Sequence, residues 1–251
     1  MKMSTTTAII TGGASGLGEA TARHLVSQGA KVTLLDRDAE RGNAVAQDIG
    51  GFFILTDVTD EASVEAAIAQ AQDQMGALTV AVNCAGIALG IKTTGRNGAH
   101  PLAAFQKTID INLTGSFNVA RLAATAMAKN TPDADGARGV IINTASIAAF
   151  DGQKGQVAYA ASKGGIVGMT LPMARDLAQY GIRVMTIAPG IFATPMLKGL
   201  PQEVQDSLAA EVPSPARLGE PSEYGRLVAF IVEMGYLNGE VIRLDGALRM
   251  R

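Results

Sequence analysis

The stretch that decides the fold of this chain reads Thr7-Ala-Ile-Ile-Thr-Gly-Gly-Ala-Ser-Gly-Leu-Gly18. Its first five residues form a short apolar and β-branched run, which predicts a buried strand that the glycine cluster ends. Residues 19–28 then have the pattern of a helix, and Gly29 is suited to end it. A strand, a glycine-rich turn and a helix in this order are typical of sheets with parallel strands. The stretch therefore predicts an α/β fold.

The glycine-rich turn is suited to bind a dinucleotide, because backbone N–H groups at the start of a helix can face a pyrophosphate. Gly12 permits the tight turn, Gly16 lets the backbone approach the ligand, and Gly18 lets helix and strand pack closely. A second apolar strand ends in Asp36, where a carboxylate would bind the adenosine ribose, although an acid here can also cap a helix. Arg37, which follows it, would instead favour a 2′-phosphate.

Strand and helix patterns alternate along the rest of the chain. We expect further strands at residues 51–55, 78–82, 140–145, 182–188 and 240–244, with helices at 41–50, 61–75, 102–129, 157–180 and 221–234. This alternation argues for a parallel sheet with helices on both faces. No linker or internal repeat interrupts it. The sequence therefore predicts a single-domain doubly wound (Rossmann) parallel sheet of about seven strands, spanning residues 1–251.

Small and polar residues follow the predicted strands, where they would reach a bound cofactor. Asp57 follows the third strand, and it could bind an adenine amino group or merely cap the next helix. Small residues would let the backbone pass close to the cofactor after the fourth strand, and they are Asn83, Cys84, Ala85 and Gly86.

Residues 87–101 and 191–215 have no regular period, and we expect two substrate loops there. The second loop is rich in Pro and Met and has the character of a mobile lid. Its apolar residues would suit an acyl chain, and they are Met196, Leu197, Leu200 and Leu208. Cations that could meet phosphates, or simply be solvated, are Lys92, Arg96 and Lys198.

Tyr159 and Lys163 are the main candidates for chemistry. They are four residues apart, so a helix places both side chains on one face. Lowering a tyrosine pKa from about 10 to about 7 takes roughly 4 kcal/mol, which one positive charge at about 4 Å supplies at an effective dielectric constant near 20. Ser146 ends a buried strand, where open α/β sheets place reactive groups. A packed tyrosine and a solvated lysine are the alternative interpretation.

Asn112 lies between Ile111 and Leu113 in an apolar helical stretch. A buried amide costs stability unless it is hydrogen-bonded, so we expect a specific partner for its side chain.

The composition excludes several classes of protein. Of 251 residues, 47% are hydrophobic and 18% charged, which is typical of a large core with little disorder. A net charge of −2 provides no basic face for nucleic acid. A single cysteine, Cys84, fits a reducing compartment. The sequence contains only two histidines, His24 and His100, so we expect no metal site. We find no signal peptide and no membrane span, and expect a soluble cytoplasmic protein.

Taken together, these motifs resemble those of the short-chain dehydrogenase/reductase family, over essentially the whole chain. The matching motifs, in the family's order and spacing, are the glycine-rich turn, Asn83-Cys84-Ala85-Gly86, Asn112, Ser146, Tyr159-x-x-x-Lys163 and Pro189-Gly190. The family has Asn more often than Cys at position 84.

The resemblance implies a role for each of these residues. Tyr159 would be the general acid/base, Lys163 would lower its pKa and hold the nicotinamide ribose, and Ser146 would bond the substrate oxygen. Asn112 would hold a water that links Lys163 to solvent. The cofactor would be NAD, bound by Ser15 and Leu17 at the pyrophosphate, Asp36 at the ribose, Asp57 and Val58 at the adenine, and Phe192 and Thr194 at the nicotinamide end.

A closer resemblance is carried by residues 10–18, 80–87, 139–146, 161–172, 181–190 and 237–246. They are similar to a subgroup of this family that interconverts 3-hydroxyacyl-CoA and 3-ketoacyl-CoA in fatty acid metabolism, and in which Cys84 is normal. The loop at 91–100 is shorter and different here. A hydroxysteroid or another secondary alcohol is the alternative substrate, and an NAD-binding scaffold that acts through partners is the alternative of another class.

Assembly is the last expectation from the sequence. Small residues line one side of the 157–180 helix, at Ala160, Gly164 and Gly168, and would suit close packing against another helix or a subunit. Together with the apolar C-terminal strand and the family resemblance, they lead us to expect a homotetramer.

Overall fold

Seven parallel strands form the central sheet of the computed structural model, which describes residues 1–96, 98–199 and 201–250. Their order across the sheet is β3-β2-β1-β4-β5-β6-β7. The strands are β1 (Thr7–Thr11), β2 (Lys31–Asp36), β3 (Phe52–Leu55), β4 (Val80–Asn83), β5 (Gly139–Thr144), β6 (Ile182–Pro189) and β7 (Val241–Leu244). The prediction of a doubly wound parallel sheet of about seven strands is confirmed.

Helices cover both faces of this sheet. They are α1 (Gly16–Ser27), α2 (Ala39–Ile49), α3 (Glu61–Met75), α4 (Leu102–Ile109), α5 (Gly115–Met127), α6 (Ala148–Asp151), α7 (Val157–Ala178), α8 (Pro195–Lys198), α9 (Gln202–Ala210) and α10 (Pro221–Glu233). On β1, Ile10 faces the core under α1, α2 and α10, whereas Ile9 faces the core under α3, α5 and α7. Successive residues of a strand point to opposite faces, and both faces are buried, which explains the uniformly apolar strand sequences.

The chain order reverses between β1 and β4, which are neighbours in the sheet although two strands separate them in sequence. In open parallel sheets, ligands bind outside the carboxyl ends of the strands at such a reversal. Thr11 at the end of β1 pairs with Asn83 at the end of β4, and Asn83 pairs with Asn143 on β5. The glycine-rich turn and the segment that carries Ser146 therefore begin at the same edge of the sheet.

The helix expected over residues 102–129 is divided by a π-helical segment, Asp110–Thr114, between α4 and α5. The two expected loops also contain regular structure. A two-residue antiparallel hairpin joins Thr94–Gly95 to Gly98–Ala99, and α8 and α9 lie in the second loop. Pro172 lies inside α7, which continues through it.

In the part of the chain that the structure describes, no helix is both long and apolar enough to span a bilayer. The same ranges contain no group of three or more His, Cys, Asp or Glu side chains suited to a metal ion.

Candidate active site

A cleft lies at the carboxyl edge of the sheet, where β1 and β4 meet. Most of the residues predicted to bind a cofactor line it: Gly12, Ser15, Gly16, Leu17, Gly18, Asp36, Asp57, Val58, Cys84, Ala85, Gly86 and Thr194. They come from five separate segments of the chain, so the parallel sheet is what brings them together.

The glycine-rich turn is shaped as its sequence predicts. Gly12 and Gly16 have φ angles of 65° and 58°, a region that residues with a Cβ rarely adopt. A Cβ at Gly18 would clash with the carbonyl oxygen of Gly12, so the turn and the first turn of α1 can approach only without a side chain there. The backbone after β4 is held in place by Thr11, whose Oγ1 accepts hydrogen bonds from the N–H groups of Cys84 and Ala85 at 3.2 and 3.1 Å.

Asp36 lies at the far end of the cleft and does not cap α2. Its Oδ2 accepts from the N–H of Ala14 at 3.0 Å, and its Oδ1 accepts from the N–H of Asp38 at 3.1 Å. The cap is Asp38, which accepts from the N–H of Arg41. The carboxylate of Asp36 therefore links the glycine-rich turn to the end of β2.

Asp57 also lines the cleft, and its carboxylate holds a local turn. Its Oδ1 accepts from the N–H and Oγ1 of Thr59 at 3.0 and 2.7 Å, and its Oδ2 lies 3.5 Å from Nε of Arg37. The Thr59 hydroxyl, and more weakly Arg37, lower the pKa of Asp57. Asp60 caps α3 instead, because it accepts from the N–H of Ala62. Arg37 is thus paired with an acidic side chain, and its guanidinium is not free to bind a 2′-phosphate.

Ser146, Tyr159 and Lys163 converge beside this cleft. Ser146 follows the end of β5 and is buried, and Tyr159 and Lys163 lie one turn apart near the start of α7. Burial raises the pKa of the Tyr159 phenol, and a hydrogen bond with Ser146 opposes this with a smaller effect. Lys163 Nζ lies 5.7 Å from the centroid of the Tyr159 ring.

Lys163 is buried and donates from Nζ to the carbonyl oxygen of Thr144 at 2.7 Å. Burial lowers its pKa to about 8, so its ammonium form still predominates at neutral pH. The pKa of Tyr159 lies above its usual value in this arrangement. The expected lowering of that pKa by Lys163 therefore stays a prediction for the complex with cofactor.

Asn112 has the specific partners that we expected for a buried amide. Its Oδ1 accepts from the N–H of Ile87 at 2.8 Å, and its Nδ2 donates to the carbonyl oxygen of Ile87 and to Ser162 Oγ at 2.9 and 3.1 Å. A Cβ at Gly86 would lie 3.2 Å from Asn112 Oδ1 and 3.7 Å from Lys163 Nζ. The amide and the ammonium therefore meet at the backbone of Gly86, on the floor of the cleft.

Besides Tyr159 and Lys163, which lie beside the cleft, four predicted cofactor residues do not line it. Asn83 is buried and donates from Nδ2 to Asn143 Oδ1 at 2.9 Å and to the carbonyl oxygen of Ser116. Phe192 is also buried and borders a separate hollow, because its ring packs under Gly219. Pro189 ends β6, and Gly190 pairs with the end of β7 through its N–H.

Sequence reasoning missed other residues that line the cleft, namely Leu35, Arg41, Thr56, Ile87, Ile111 and Pro195. Arg41 lies in the first turn of α2, and only the fold shows that this turn faces the cleft beside Asp36. Ile111 is adjacent to Asn112, and the π-helical segment that turns it toward the cleft has no signal in the sequence.

The two substrate loops border the site unequally. The backbone after Gly90 contacts the segment before α7, where the N–H of Ile91 donates to the carbonyl oxygen of Gly155 at 2.9 Å. Lys92, Arg96 and Lys198 are exposed. In the second loop, Leu197 and Leu208 are partly buried, whereas Leu200 and the side chain of Met196 lie outside the described part of the chain.

Comparison with known proteins agrees with this geometry. A family model described as short chain dehydrogenase matches residues 6–205. Proteins named 3-hydroxyacyl-CoA dehydrogenase type-2 from Rattus norvegicus and Homo sapiens are each 58% identical over 248 residues, covering 97% of this chain and 95% of the relative. The crystal structure of 3-hydroxyacyl-CoA dehydrogenase type-2 from Mycobacterium avium superimposes with a TM-score of 0.93 at 46% identity, covering 98% of this chain and 96% of that one.

The match therefore extends from the glycine-rich turn through the Ser146, Tyr159 and Lys163 cluster and continues past both substrate loops. We conclude that this chain belongs to the short chain dehydrogenase family of nicotinamide-dependent oxidoreductases.

Proposed function

We propose that this enzyme interconverts 3-hydroxyacyl-CoA and 3-ketoacyl-CoA with NAD as its cofactor. The observation that carries the proposal is the convergence of Ser146, Tyr159 and Lys163 beside the cleft, in a chain 58% identical to relatives named for this substrate. An intact set of these three residues and Asn112 argues against a scaffold that only binds NAD, because binding alone would not need all four.

The cleft fits a dinucleotide. The glycine-rich turn presents the N-terminus of α1, and a Cβ at Gly16 would already lie 3.6 Å from Thr194, so a side chain there would fill space that a pyrophosphate needs. We assign Ser15 and Leu17 to the pyrophosphate, Asp36 to the ribose, Asp57 and Val58 to the adenine, and Thr194 to the nicotinamide end. When bound, NAD supplies the hydride acceptor.

Tyr159 acts as the general base in the oxidation direction. Its phenolate takes the proton of the 3-hydroxyl group as the hydride leaves C3, and its phenol returns that proton in reduction. Ser146 donates to the reacting oxygen and holds it against Tyr159. The ammonium of Lys163 favours the phenolate electrostatically and holds the nicotinamide ribose. Asn112 holds a water that connects Lys163 with solvent.

NAD is preferred to NADP because Asp36 occupies the ribose end. A carboxylate about 4 Å from a 2′-phosphate would cost roughly 4 kcal/mol at an effective dielectric constant near 20, and less in salt. The ion pair between Arg37 and Asp57 supports this assignment, since it engages the cation that follows Asp36 in the sequence. Arg41 is the one opposing feature among the described cleft residues, because it also lines this end.

Acyl-CoA specificity rests on the two loops. Leu197 and Leu208 offer apolar surface for an acyl chain, and the exposed Lys92, Arg96 and Lys198 offer charges to the CoA phosphates. The enzyme works as a homotetramer in the cytoplasm: the single Cys84 fits a reducing compartment, and the open space beside Gly164 and Gly168 fits a neighbouring subunit.

A substrate screen tests the assignment. NADH absorbance is followed with a 3-hydroxyacyl-CoA, with its truncated pantetheine thioester, and with a hydroxysteroid. We expect the CoA ester to react best and truncation to raise KM. Neutralising the phosphate-binding cation, through Lys92→Gln, Arg96→Gln or Lys198→Gln, should erase that difference, whereas Lys31→Gln at the start of β2 should preserve it.

The outcomes separate the parts of the proposal. Equal reaction of both thioesters would remove the phosphate contacts and leave the chemistry in place. A hydroxysteroid that reacts while neither thioester does would replace the acyl-CoA assignment. No turnover of any alcohol, with NAD still bound, would favour the scaffold alternative.

A further inference from the structure

Three polar side chains meet in the interior between the ends of β4 and β5 and the start of α10. Tyr224 is fully buried, and its hydroxyl oxygen lies 2.7 Å from Thr144 Oγ1. Thr144 Oγ1 lies 3.5 Å from Cys84 Sγ, which in turn lies 3.9 Å from the Tyr224 hydroxyl. Each group has one hydrogen, so a cyclic arrangement satisfies all three: threonine donates to cysteine, cysteine to tyrosine, and tyrosine to threonine.

Thr144 connects this cluster with the active site, because it carries two contacts on opposite sides. Its side chain faces Tyr224, and its carbonyl oxygen accepts from Lys163 Nζ at 2.7 Å. It is also the last residue of β5, two positions before Ser146. A displacement of Thr144 would therefore be passed to Lys163 through one hydrogen bond and to Ser146 through two peptide units.

Tyr224 is itself held firmly. Its neighbour Gly225 lets α10 approach α1 so closely that a Cβ there would lie 3.0 Å from the carbonyl oxygen of Ala20. A capping box between Glu220 and Glu223 fixes the first turn of α10, and Glu223 immediately precedes Tyr224. The phenol ring therefore has a fixed position against the core, and its hydroxyl is a rigid reference point for Thr144.

We infer that Tyr224 is a positioning residue for Lys163. Its hydroxyl holds Thr144 in place, and the carbonyl of Thr144 orients the lysine ammonium. The inference rests on the proposed function, because it assigns Lys163 the task of favouring the Tyr159 phenolate. Tyr224 belongs to none of the motifs by which the chain was assigned to its family, and it does not line the cofactor cleft.

Few groups near Lys163 change charge around neutral pH. Burial raises the pKa of the Cys84 thiol and raises that of Tyr224 well above its usual value, so both stay neutral. The remaining titratable partner among the described residues around the ammonium is Tyr159 on the same helix. The pH dependence of turnover therefore reports mainly on Lys163 and Tyr159.

The experiment compares pH profiles of kcat/KM for alcohol oxidation in the wild-type enzyme and in Tyr224→Phe. The variant keeps the ring and removes the hydroxyl. We expect the acid-limb midpoint to rise by about half a pH unit or more, because a loosely held ammonium favours the phenolate less. At pH values well below the midpoint, kcat/KM of the variant is then about threefold lower than that of the wild type. On the alkaline plateau the two kcat/KM values are equal. A merely structural hydroxyl would lower activity equally at every pH, which would overturn the inference.

Thr144 provides an independent arm that does not depend on the stability of Tyr224→Phe. Thr144→Val removes the hydroxyl and keeps the carbonyl, so it should reproduce the midpoint shift, and Thr144→Ser should restore the wild-type profile. The midpoint in the double variant Tyr224→Phe/Thr144→Val should shift no further than in either single variant, because both substitutions remove the same hydrogen bond between Tyr224 and Thr144. Additive shifts in the double variant would refute the pathway through Thr144.

Two controls complete the design. Tyr236→Phe removes a phenol hydroxyl from a fully exposed ring and should leave the profile unchanged. Tyr159→Phe separates the two levels of the argument. If Tyr159→Phe is inactive and Tyr224→Phe has the wild-type midpoint, only the positioning role fails. If Tyr159→Phe is fully active, the proposed chemistry fails, and the role of Tyr224 with it.

Discussion

The ammonium of Lys163 lies 2.7 Å from the carbonyl oxygen of Thr144, whereas the centroid of the Tyr159 ring is 5.7 Å away. The lysine is therefore anchored on the backbone at the end of a strand, and it acts on the phenol through space. An ammonium fixed in this way needs no contact with the tyrosine to keep its position, and the face of the phenol hydroxyl stays open to substrate.

Removal of the phenol hydroxyl tests the proton transfer. We expect Tyr159→Phe to lose more than about 99% of its turnover, since general acid/base groups contribute roughly 10²- to 10⁴-fold. NAD should still bind, because the glycine-rich turn and Asp36 are unchanged; fluorescence titration measures this. A variant that keeps a tenth of wild-type activity would contradict the assigned role.

The buried charge of Lys163 predicts an unusual dependence of stability on pH. Its folded pKa is about 8, below that of an unfolded lysine at about 10.4, so the unfolded chain binds more protons between these values. Wild-type stability should therefore rise with pH in this window relative to Lys163→Met, by at most roughly 3 kcal/mol. Urea unfolding at pH 7 and pH 10 measures the change.

The control for this prediction is Lys107→Met, which removes an exposed lysine on α4. Its difference from the wild type should stay constant between the two pH values. If the unfolding free energies of the wild type and Lys163→Met differ by the same amount at both pH values, burial of the Lys163 ammonium does not destabilise the folded protein.

A charge change at the ribose end tests the cofactor preference. Asp36→Asn keeps an oxygen that can accept from the Ala14 N–H and removes the charge that repels a 2′-phosphate. We expect kcat/KM with NADP to rise at least about tenfold relative to NAD, a conservative fraction of the full Coulomb term after screening. Asp38→Asn makes the same charge change outside the cleft and should leave kcat/KM unchanged with both NAD and NADP. An unchanged ratio in Asp36→Asn would assign the selectivity elsewhere.

The small-residue side of α7 predicts an assembly. A Cβ at Gly164 or Gly168 meets nothing within 4 Å in the described chain. Two large side chains, Phe117 on α5 and Tyr180 after α7, are also 47% and 44% exposed. Gly168→Leu should therefore fold normally yet break the proposed tetramer, because a partner helix would occupy that space. Light scattering at low micromolar concentration measures the mass.

Ala66→Leu places a leucine on the exposed side of α3 and should leave the assembly intact. A wild-type chain that is monomeric at this concentration would contradict the expectation of a tetramer outright.

Much of this arrangement is predictable from the sequence, because it depends on local patterns. Thr7–Thr11 and the glycines after it specify a strand and a tight turn with no help from distant residues, and their positions agree with expectation. Helix α3 likewise has the bounds that its sequence indicates. The parallel order then brings Asp36 and Ser146 to one edge, since every strand of such a sheet ends there.

The remaining features depend on contacts that no local pattern encodes. Thr144 contacts Lys163 through its backbone carbonyl, which any residue would supply, and its hydroxyl gains a role only through the distant Tyr224, so no local pattern singles it out. Tyr224 is 80 positions away in sequence, and only the packing of α10 on α1 brings it near. The family resemblance implies a place for Phe192 at the nicotinamide end, whereas its buried ring packs against Gly219, a contact across 27 positions that the sequence does not indicate.

The π-helical segment at Asp110–Thr114 has a consequence for how this sequence can change. A π turn accommodates one residue more than an α-helical turn, so the segment acts as a single inserted residue. Winding the same number of residues as a continuous α-helix would rotate α5 by about 100° against α4, whereas the loss of one residue there would remove the π turn and leave the register of α5 unchanged. A one-residue deletion in this segment, at a position other than Asn112, should therefore disturb the packing of α5 less than a deletion inside α5, which would rotate every later residue of that helix by about 100°.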